Sequence, residues 1–233
     1  MGSRPLFQLN PRLAAIAGMV PPDTVIADVG TDHAYLPIWL VKKKVCPKAV
    51  AMDIRRGPLD RARENMCRYQ VEDKISLRLS DGLEQLSPGE ADIIVIAGMG
   101  GELISRILSR AQWLKQTSSR LILQPMSAAA ELRMWLSEEK YTLQREIAVM
   151  DAGRIYTVME AFYSGVYHKQ PPRYPYVGKL DYSELAADYV RRELRHLQNQ
   201  ASGARALAQD DRLHNLTIAI QELKQWLTQG GIL

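Results

Sequence analysis

The chain has 233 residues, of which 46% are hydrophobic and 24% charged, and this composition suits one globular domain with room for a small appendage. Mean hydropathy is −0.21, and the absence of any run of about 18 apolar residues excludes a membrane-spanning segment. The formal charge of +4 and the pI of about 9.0 permit a polyanionic partner and exclude an acidic, solvating protein.

The cysteine content excludes two further classes of protein. Cys46 and Cys67 are too few for a disulfide framework and, with few histidines near them, for a zinc site. We expect two reduced thiols and no bound metal. The opening residues, "MGSRPLFQLNPRL", lack the apolar core of a signal peptide, so the expected compartment is the cytoplasm.

The first two thirds of the chain predict strands that alternate with helices. A helix is predicted over 9–20, with Asn10 as its N-cap and Pro11 at the first helical position. The predicted strands are apolar runs, most of which end in Asp, Gly or Pro: "TVIADVG", "KAVAMDI", "ISLRLSDG", "ADIIVIAGMGG" and "SRLILQP". Helices are expected through about Lys43, from Pro58, from Glu102 and over "SAAAELRMWLSEEKY". This alternation predicts a parallel, doubly wound sheet.

The next segment predicts an antiparallel end to that sheet. "TLQREIAVM" and "RIYTVMEAFY" are extended runs joined by the short turn "DAGR", in which Gly153 is available for positive φ. A hairpin after five strands resembles the class I methyltransferase sheet and differs from the six parallel strands of a dinucleotide-binding domain. We therefore predict an α/β, Rossmann-like sheet of seven strands.

The last part of the chain has a different character. "GVYHKQPPRYPYVGK" is expected to be a linker, and two helices with narrow apolar stripes follow it, the second from about Asp211. The predicted division is a catalytic domain over 1–163 and a linker with an antiparallel helical hairpin, or short coiled coil, over 164–233. Such a hairpin is compatible with an RNA clamp and with a dimerisation element, so a monomer and a homodimer both remain open.

The stretch "DVGTDHAYLP" follows the first predicted strand. Asp28 and Gly30 provide a sharp turn before a helix N-terminus, where a backbone can approach a ligand closely. A dinucleotide-binding loop has glycine where this chain has Asp32 and Ala34. Because an acid repels phosphate, the loop favours a cationic ligand such as the amino group of a methionine moiety. The alternative is an ordinary strand-to-helix turn.

Three further strand ends carry residues of the same kind. Asp53 closes the second strand, where a carboxylate accepts hydrogen bonds from both ribose hydroxyls of an adenosine. Asp81 follows the third strand and is a candidate acceptor for an adenine amino group. The fourth ends in "AGMGG", whose glycines let ligands lie against the backbone. Each feature alone is also typical of a solvated strand end, but ligand-compatible loops at four successive strands point to one site.

These motifs together resemble one enzyme family. "DVGTDHAYLP", the "AGMGG" loop and "LILQP" are similar to the bacterial tRNA (adenine-N1)-methyltransferases that modify the adenine at position 22 of the D-arm. The similarity extends over the whole chain, from the "LNPRL" start to the C-terminal hairpin. The resemblance implies S-adenosylmethionine as methyl donor and tRNA as acceptor.

The resemblance also implies a set of site residues. The implied cofactor-binding residues lie in four loops and are Asp28, Gly30, Thr31, Asp32, His33, Asp53, Ile54, Asp81, Gly82, Ala97, Gly98, Met99 and Gly100. The candidate catalytic residues are Asp32, His33 and Tyr35. Gln124 and Pro125 are expected near the acceptor. Family members often have Glu at the position of Asp53, and we expect the role to be the same.

The chemistry of adenine N1 limits what these residues need to do. The base must first leave its pair by local melting or flipping. N1 then holds a lone pair and no proton at neutral pH, so a general base is not obligatory, and positioning and charge compensation supply most of the rate. Asp32 is expected to stabilise the developing positive charge on the base or to accept a hydrogen bond from its exocyclic amine. His33, if neutral, is expected to act similarly, or to be a helix-start histidine bonded to backbone.

Basic residues supply the candidate RNA contacts, which are Lys42, Lys43, Lys44, Arg55, Arg56, Arg191 and Arg192. Tyr174 and Tyr176 of the linker are further candidates. Such residues are also typical of solvated helix faces. Because structured tRNA is recognised mainly through shape and backbone, they are expected to set affinity more than base choice.

Three functions compete at this point. A tRNA N1-adenine methyltransferase accounts for the loops, the hairpin and the C-terminal helices. A methyltransferase of small molecules, or of another RNA, leaves the basic helices without a role. A nicotinamide-dependent oxidoreductase, or a nucleotide-binding module without catalysis, conflicts with the missing glycines and the terminal hairpin. The first function is the prediction.

Overall fold

The computed structural model describes residues 5–230 and contains one seven-stranded sheet. The strands are β1 (Ile26–Val29), β2 (Ala49–Asp53), β3 (Ile75–Leu79), β4 (Ile93–Gly100), β5 (Arg120–Ser127), β6 (Tyr141–Asp151) and β7 (Arg154–Tyr163). The helices are α1 (Pro11–Ala17), α2 (Tyr35–Lys42), α3 (Arg56–Tyr69), α4 (Gly101–Arg110), α5 (Ala129–Glu138), α6 (Tyr174–Val177), α7 (Glu184–Ala206) and α8 (Asp210–Gln229). The first four residues of the predicted range 1–163 and the last three of 164–233 lie outside the described residues.

The strand order confirms the predicted fold class. The order is β3-β2-β1-β4-β5-β7-β6, with β1 to β5 parallel and β7 antiparallel to both β5 and β6. The chain builds outward from β1 to β3 and then crosses back to place β4 on the other side of β1. This reversal is the topological switch point at which open α/β sheets bind ligands.

Alternation along the central strand divides the core between the two faces of the sheet. Ile94 and Ile96 of β4 pack in one apolar cluster with α4 and α5, whereas Ile93 and Val95 pack in another with α1, α2 and α3. All four side chains are at most 2% exposed. Because both faces are covered, the strands read as continuous apolar runs, which is why they were recognisable in the sequence.

Local sequence signals explain where two helices begin. Asn10 caps α1 as predicted, since its Oδ1 accepts the Leu13 N–H at 2.9 Å. The α3 helix begins at Arg56, two residues before the predicted start at Pro58. Pro58 therefore occupies the first turn of α3, where its missing N–H has no intrahelical partner to lose.

The C-terminal helices form the predicted hairpin, but the segment before them is not a loose linker. α6 lies within it, and Tyr174 and Val177 are 6% and 3% exposed. Arg133 of α5 and Glu146 of β6 form a buried ion pair at 2.6 Å. Arg133 also donates to the Pro175 carbonyl at 2.5 Å and to the Tyr189 hydroxyl at 3.3 Å. The pair thereby joins α5, β6, the linker and α7.

No helix within residues 5–230 is long and apolar enough to cross a membrane.

Candidate active site

Two adjoining cavities lie at the carboxyl ends of the parallel strands. The first has a volume of about 310 Å³ and the second about 350 Å³. They share a wall formed by Gly30, Asp53, Arg55, Ala97 and Gly98. The first extends to α1 and the end of β5, and the second extends to the loop after β3. Together they form a groove of the size that small ligands occupy, at the switch point of the sheet.

Asp28 is a buried carboxylate in this groove. It is the third residue of β1 and is 7% exposed, and its Oδ2 accepts a hydrogen bond from the Thr31 hydroxyl at 2.5 Å. Burial raises the pKa of Asp28 to about 6; repulsion from Asp32 and Asp53 raises it further, and the Thr31 hydrogen bond opposes the rise. A cation beside Asp28 would relieve this cost, since an opposite charge favours the ionised carboxylate.

Gly30 makes the turn after β1 in a backbone conformation that other residues rarely adopt. Its φ is +73°, and a Cβ at this position would lie 2.2 Å from the Met99 Cε. The N–H groups of Gly30 and Thr31 both donate to the Met52 carbonyl at 2.8 Å, which holds the turn against the end of β2. The glycine thus allows the β4 loop and any ligand to approach the backbone closely.

Asp53 closes β2, the strand next to β1, at the wall shared by the two cavities. The carboxylate is held by the Arg55 N–H, which donates to Oδ1 at 2.8 Å, while the Arg55 side chain is 77% exposed. Asp53 itself is 7% exposed. An oriented acceptor in this position suits a pair of sugar hydroxyls.

The second cavity contains the predicted residues of the later loops. Ile54, Asp81, Gly82, Ala97, Gly98 and Met99 all line it. Asp81 also forms an ion pair with Arg110 at 2.9 Å, so one of its oxygens is already engaged. Gly100 lines neither cavity, because it is the N-cap of α4 and faces Ser127.

The other end of the first cavity holds residues that sequence reasoning did not assign. Arg12 of α1 lines it together with Gln124 and Met126 of β5. The Gln124 side chain is 0% exposed, and its Oε1 accepts both the Gly98 N–H and the Arg12 Nη1–H at 3.1 Å. Arg12 Nε donates to Asp151 at 2.5 Å. Gln124 was expected near the acceptor from its place after the apolar part of β5. The position of Arg12 was not expected, because no sequence pattern pairs it with Asp151, which lies 139 residues away.

The three candidate catalytic residues occupy different environments. Asp32 lines the rim of the first cavity with a side chain that is 79% exposed. His33 and Tyr35 line neither cavity and stack on each other with ring centroids 5.6 Å apart. The His33 Nε2 lies 3.4 Å from Asp32 Oδ1 and 3.5 Å from Arg61 Nη1, and among residues 5–230 the ring has no hydrogen bond to the backbone, which was the alternative expected for it.

The backbone explains why the two rings turn away. His33 and Ala34 both have left-handed conformations, with φ of 56° and 57°, before α2 begins at Tyr35. Two successive left-handed residues reverse the direction of the chain, and they carry His33 toward α3, where Asn65 donates to its carbonyl at 3.1 Å. The geometry therefore favours Asp32 and does not bring His33 or Tyr35 to the cavity.

The predicted RNA-binding residues do not form one surface. Arg55 lines both cavities and Arg56 begins α3 beside them, whereas Lys42 to Lys44 lie at the far end of α2, about 12 Å along its axis. Lys42 donates to the Tyr69 carbonyl at 3.0 Å. Arg192 of α7 lines a separate groove, and Arg191 pairs with Asp188 at 2.8 Å. Tyr174 is buried, so its suggested role in RNA contact is wrong.

The chemistry of the groove fits a ligand that is cationic at one end and carries a sugar diol. Asp28 and Asp32 lie at one part of the wall, and Asp53 offers an oriented acceptor next to them. Three carboxylates in so small a volume disfavour the pyrophosphate of a dinucleotide. Within the described part of the chain, no cluster of three His, Cys, Asp or Glu residues has the arrangement of a metal site.

Comparison with known proteins agrees with this chemistry. A family profile described as "Methyltransferase domain" matches residues 9–159. The tRNA (adenine(22)-N(1))-methyltransferase of Bacillus subtilis (strain 168) is 40% identical over 155 residues, which are 66% of this chain and 65% of that relative's own length.

Two solved structures extend the similarity beyond the catalytic part. The B. subtilis M1A22 tRNA methyltransferase TrmK has a TM-score of 0.80 at 31% identity, covering 94% of this chain and 98% of that one. Streptococcus pneumoniae Sp1610, a putative tRNA (m1A22) methyltransferase in complex with S-adenosyl-L-methionine, has a TM-score of 0.77 at 29% identity, covering 90% and 98%. The chain therefore belongs to the methyltransferase-domain family, among the bacterial tRNA (adenine(22)-N(1))-methyltransferases.

Proposed function

We propose that the protein transfers a methyl group from S-adenosylmethionine to N1 of the adenine at position 22 of tRNA. The observation that carries this proposal is that Asp28 and Asp53 line one cavity beside the Gly30 turn, and that the other end of the same cavity is walled by Gly98, Gln124 and Arg12. When bound, S-adenosylmethionine supplies a methyl group made electrophilic by its sulfonium. Asp28 and Asp32 hold the cationic methionine end, and Asp53 holds the ribose.

The protein's own residues then act by placement and by charge. The target N1 has a lone pair and no proton to lose, so no residue is required as a base. Asp32 is exposed at the rim and compensates the positive charge that the base acquires. Gln124 fixes the Gly98 backbone of the β4 loop and thereby the wall between the two ligands.

A separate surface groove, distinct from the two cavities described above, leads from the first cavity to the helical hairpin. We propose this second groove as the path of the RNA backbone. It has a volume of about 520 Å³, shares Met126 with the first cavity, and is lined by Arg154 of β7 and Arg192 and His196 of α7. Arg192 donates to the Ile155 carbonyl at 2.9 Å, which anchors its side chain at the wall. We therefore assign residues 164–233, together with Arg154, to RNA binding and the rest of residues 1–163 to catalysis.

The hairpin packing favours an RNA-binding role over dimerisation. The apolar stripes of α7 and α8 face each other, and Leu197 and Leu223 are 1% and 0% exposed. Within residues 5–230, Tyr182 and Leu207 are the exposed large hydrophobic side chains of the hairpin region. A monomer that works on tRNA in the cytoplasm is the proposed form, and sedimentation at working concentration tests the oligomeric state.

Methyl transfer to tRNA transcripts tests the function directly. Labelled S-adenosylmethionine is offered with an unmodified transcript carrying adenine at position 22, and with the same transcript carrying guanine there. Label on the adenine transcript alone is the expected result. Label on neither transcript, with S-adenosylhomocysteine still raising the Tm, would refute tRNA as the acceptor and retain the cofactor site.

The RNA path has its own test. Arg154→Ala is expected to weaken tRNA binding and to reduce the slope of log Kd against log salt by about 1, because one phosphate contact is lost. Arg68→Ala is the matched control, since Arg68 is an exposed arginine in the last turn of α3, away from the groove. Equal slopes for Arg154→Ala and wild type would contradict the path.

A further inference from the structure

Arg12 is held at the acceptor end of the cavity by contacts with several elements. Its Nε donates to Asp151 at the end of β6, and its Nη1 lies 3.1 Å from Gln124 Oε1 and 3.1 Å from Met126 Sδ. The centre of the guanidinium lies 5.4 Å from the ring centroid of Tyr156 on β7. An arginine fixed in this way loses little further side-chain entropy when a ligand binds.

One nitrogen of this guanidinium remains available. The Nη2 of Arg12 has no hydrogen-bond partner among residues 5–230, although the side chain is only 23% exposed and lines the cavity. A Cβ at Gly98 would lie 3.9 Å from the neighbouring Nη1, so the β4 loop passes close to the guanidinium. The free donor is therefore located beside the loop that separates the two ligands.

We propose that Arg12 positions the target adenine by donating a hydrogen bond from Nη2 to a ring nitrogen other than N1. This proposal rests on the proposed function and names a residue that acts on the acceptor base. Adenine has acceptor nitrogens on its other edges, so a donor there leaves the N1 lone pair free and turned toward the methyl group. The contact fixes the orientation of the base, and orientation controls the rate of an in-line transfer.

Asp151 explains how a cation can stand beside a base that itself becomes cationic. An unpaired guanidinium would oppose the positive charge that N1 alkylation places on the ring. The Arg12–Asp151 pair, with side chains 23% and 15% exposed, presents the same donor with its charge compensated. Lysine at position 12 lacks the planar fork that reaches Asp151, Gln124 and a ligand together.

The test compares Arg12 with a second arginine that joins the same parts of the chain. Arg145 of β6 donates to the Met19 carbonyl at 3.2 Å, just after α1, and lines none of the cavities that contain Arg12. Arg145→Ala therefore removes a contact between β6 and the α1 region without touching the acceptor end. Single-turnover rates are measured with saturating S-adenosylmethionine and tRNA for wild type, Arg12→Ala, Arg12→Lys and Arg145→Ala.

The expected result is a fall of about 100-fold in rate for Arg12→Ala and at least about 10-fold for Arg12→Lys, because a misplaced base loses its attack geometry. The Kd values for tRNA and S-adenosylhomocysteine are expected to stay within about threefold of wild type. The reason is that the substitution removes a single hydrogen bond between the protein and the tRNA, and none to the cofactor. Arg145→Ala is expected to keep its rate within about threefold.

Three outcomes would overturn the proposal. A wild-type rate in either Arg12 variant would show that the base is positioned without it. An equal loss of rate in Arg145→Ala would show that the arginines act only by joining α1 to β6. A wild-type protein that methylates neither transcript would refute the proposed function, and this inference with it.

Discussion

Replacing Asp28 by asparagine is expected to stabilise the ligand-free protein and to abolish cofactor binding. The folded protein holds the Asp28 pKa at about 6, against an ordinary value of 3.8, mainly because the carboxylate is buried. Below pH 3.8 the group is protonated in both the folded and unfolded states. Between the two values the folded state alone keeps the proton, so stability from this group is lost as pH rises toward 6.

The size of the effect follows from the two pKa values. Ionised Asp28 lowers the free energy of unfolding by about 3 kcal/mol near pH 7.5 and by about 1 kcal/mol near pH 4.5. Asparagine is isosteric, carries no charge and retains an acceptor for the Thr31 hydroxyl. The variant should therefore be more stable than wild type by up to about 3 kcal/mol near pH 7.5, and the gain should shrink to about a third near pH 4.5.

Urea denaturation at the two pH values measures the gain, and thermal unfolding with S-adenosylhomocysteine measures the loss of binding. Ligand at 100 times its Kd should stabilise wild type by about 2.7 kcal/mol, which is about 5–10 °C in Tm for a chain of this size, and should leave Asp28→Asn unchanged. Asp32→Asn is the matched control for the gain in stability alone, because the Asp32 side chain is 79% exposed. An Asp28→Asn protein no more stable than wild type near pH 7.5 would refute the reasoning.

Three further substitutions test other parts of the site and fold. Gly30→Val forces a β-branched residue into a φ of +73° and pushes the Met99 side chain in the cavity wall aside, and it should abolish stabilisation by S-adenosylhomocysteine; a normal Tm rise would contradict the close approach. Asp32→Ala should leave the Tm within about 2 °C, because the side chain is 79% exposed, yet lower the methylation rate by about 10-fold or more, and near-wild-type turnover would exclude its assigned role. Glu146→Gln leaves the Arg133 guanidinium buried without a counter-charge and should cost about 3–5 kcal/mol in urea denaturation; a cost below about 1 kcal/mol would show that the pair does not anchor the hairpin.

Much of the fold was predictable because the strands are buried on both faces. Runs such as "TVIADVG" are mostly apolar and end in Asp or Gly, so both the strands and the ligand-facing loops at their carboxyl ends are visible in the sequence. The β-hairpin of β6 and β7 was equally visible, because its turn contains Gly153, which has the left-handed φ of 75° that the turn requires. Local signals of this kind need no knowledge of distant contacts.

The residues that sequence reasoning missed depend on distant contacts or on unusual backbone. Arg12 meets Asp151 across 139 positions, and no periodicity relates them. The Arg133–Glu146 pair is 0% exposed although both residue types normally lie at the surface. The resemblance implied that His33 lies at the cofactor site, but the left-handed backbone at His33 and Ala34 directs it away from the cavity.

The loop after β1 accumulates two local costs, and a bound cation would offset one of them. Left-handed backbone at His33 and Ala34 costs about 1–2 kcal/mol for each residue, and ionised Asp28 adds about 3 kcal/mol near neutral pH. Among residues 5–230, the Thr31 hydroxyl offsets only part of the cost of a buried carboxylate that is repelled by Asp32 and Asp53. A bound ammonium and sulfonium would offset the repulsion and lower the pKa of Asp28 again. Cofactor affinity should therefore fall about tenfold for each pH unit below about 6 in wild type, and a pH-independent Kd would mean that Asp28 does not face the positive charge.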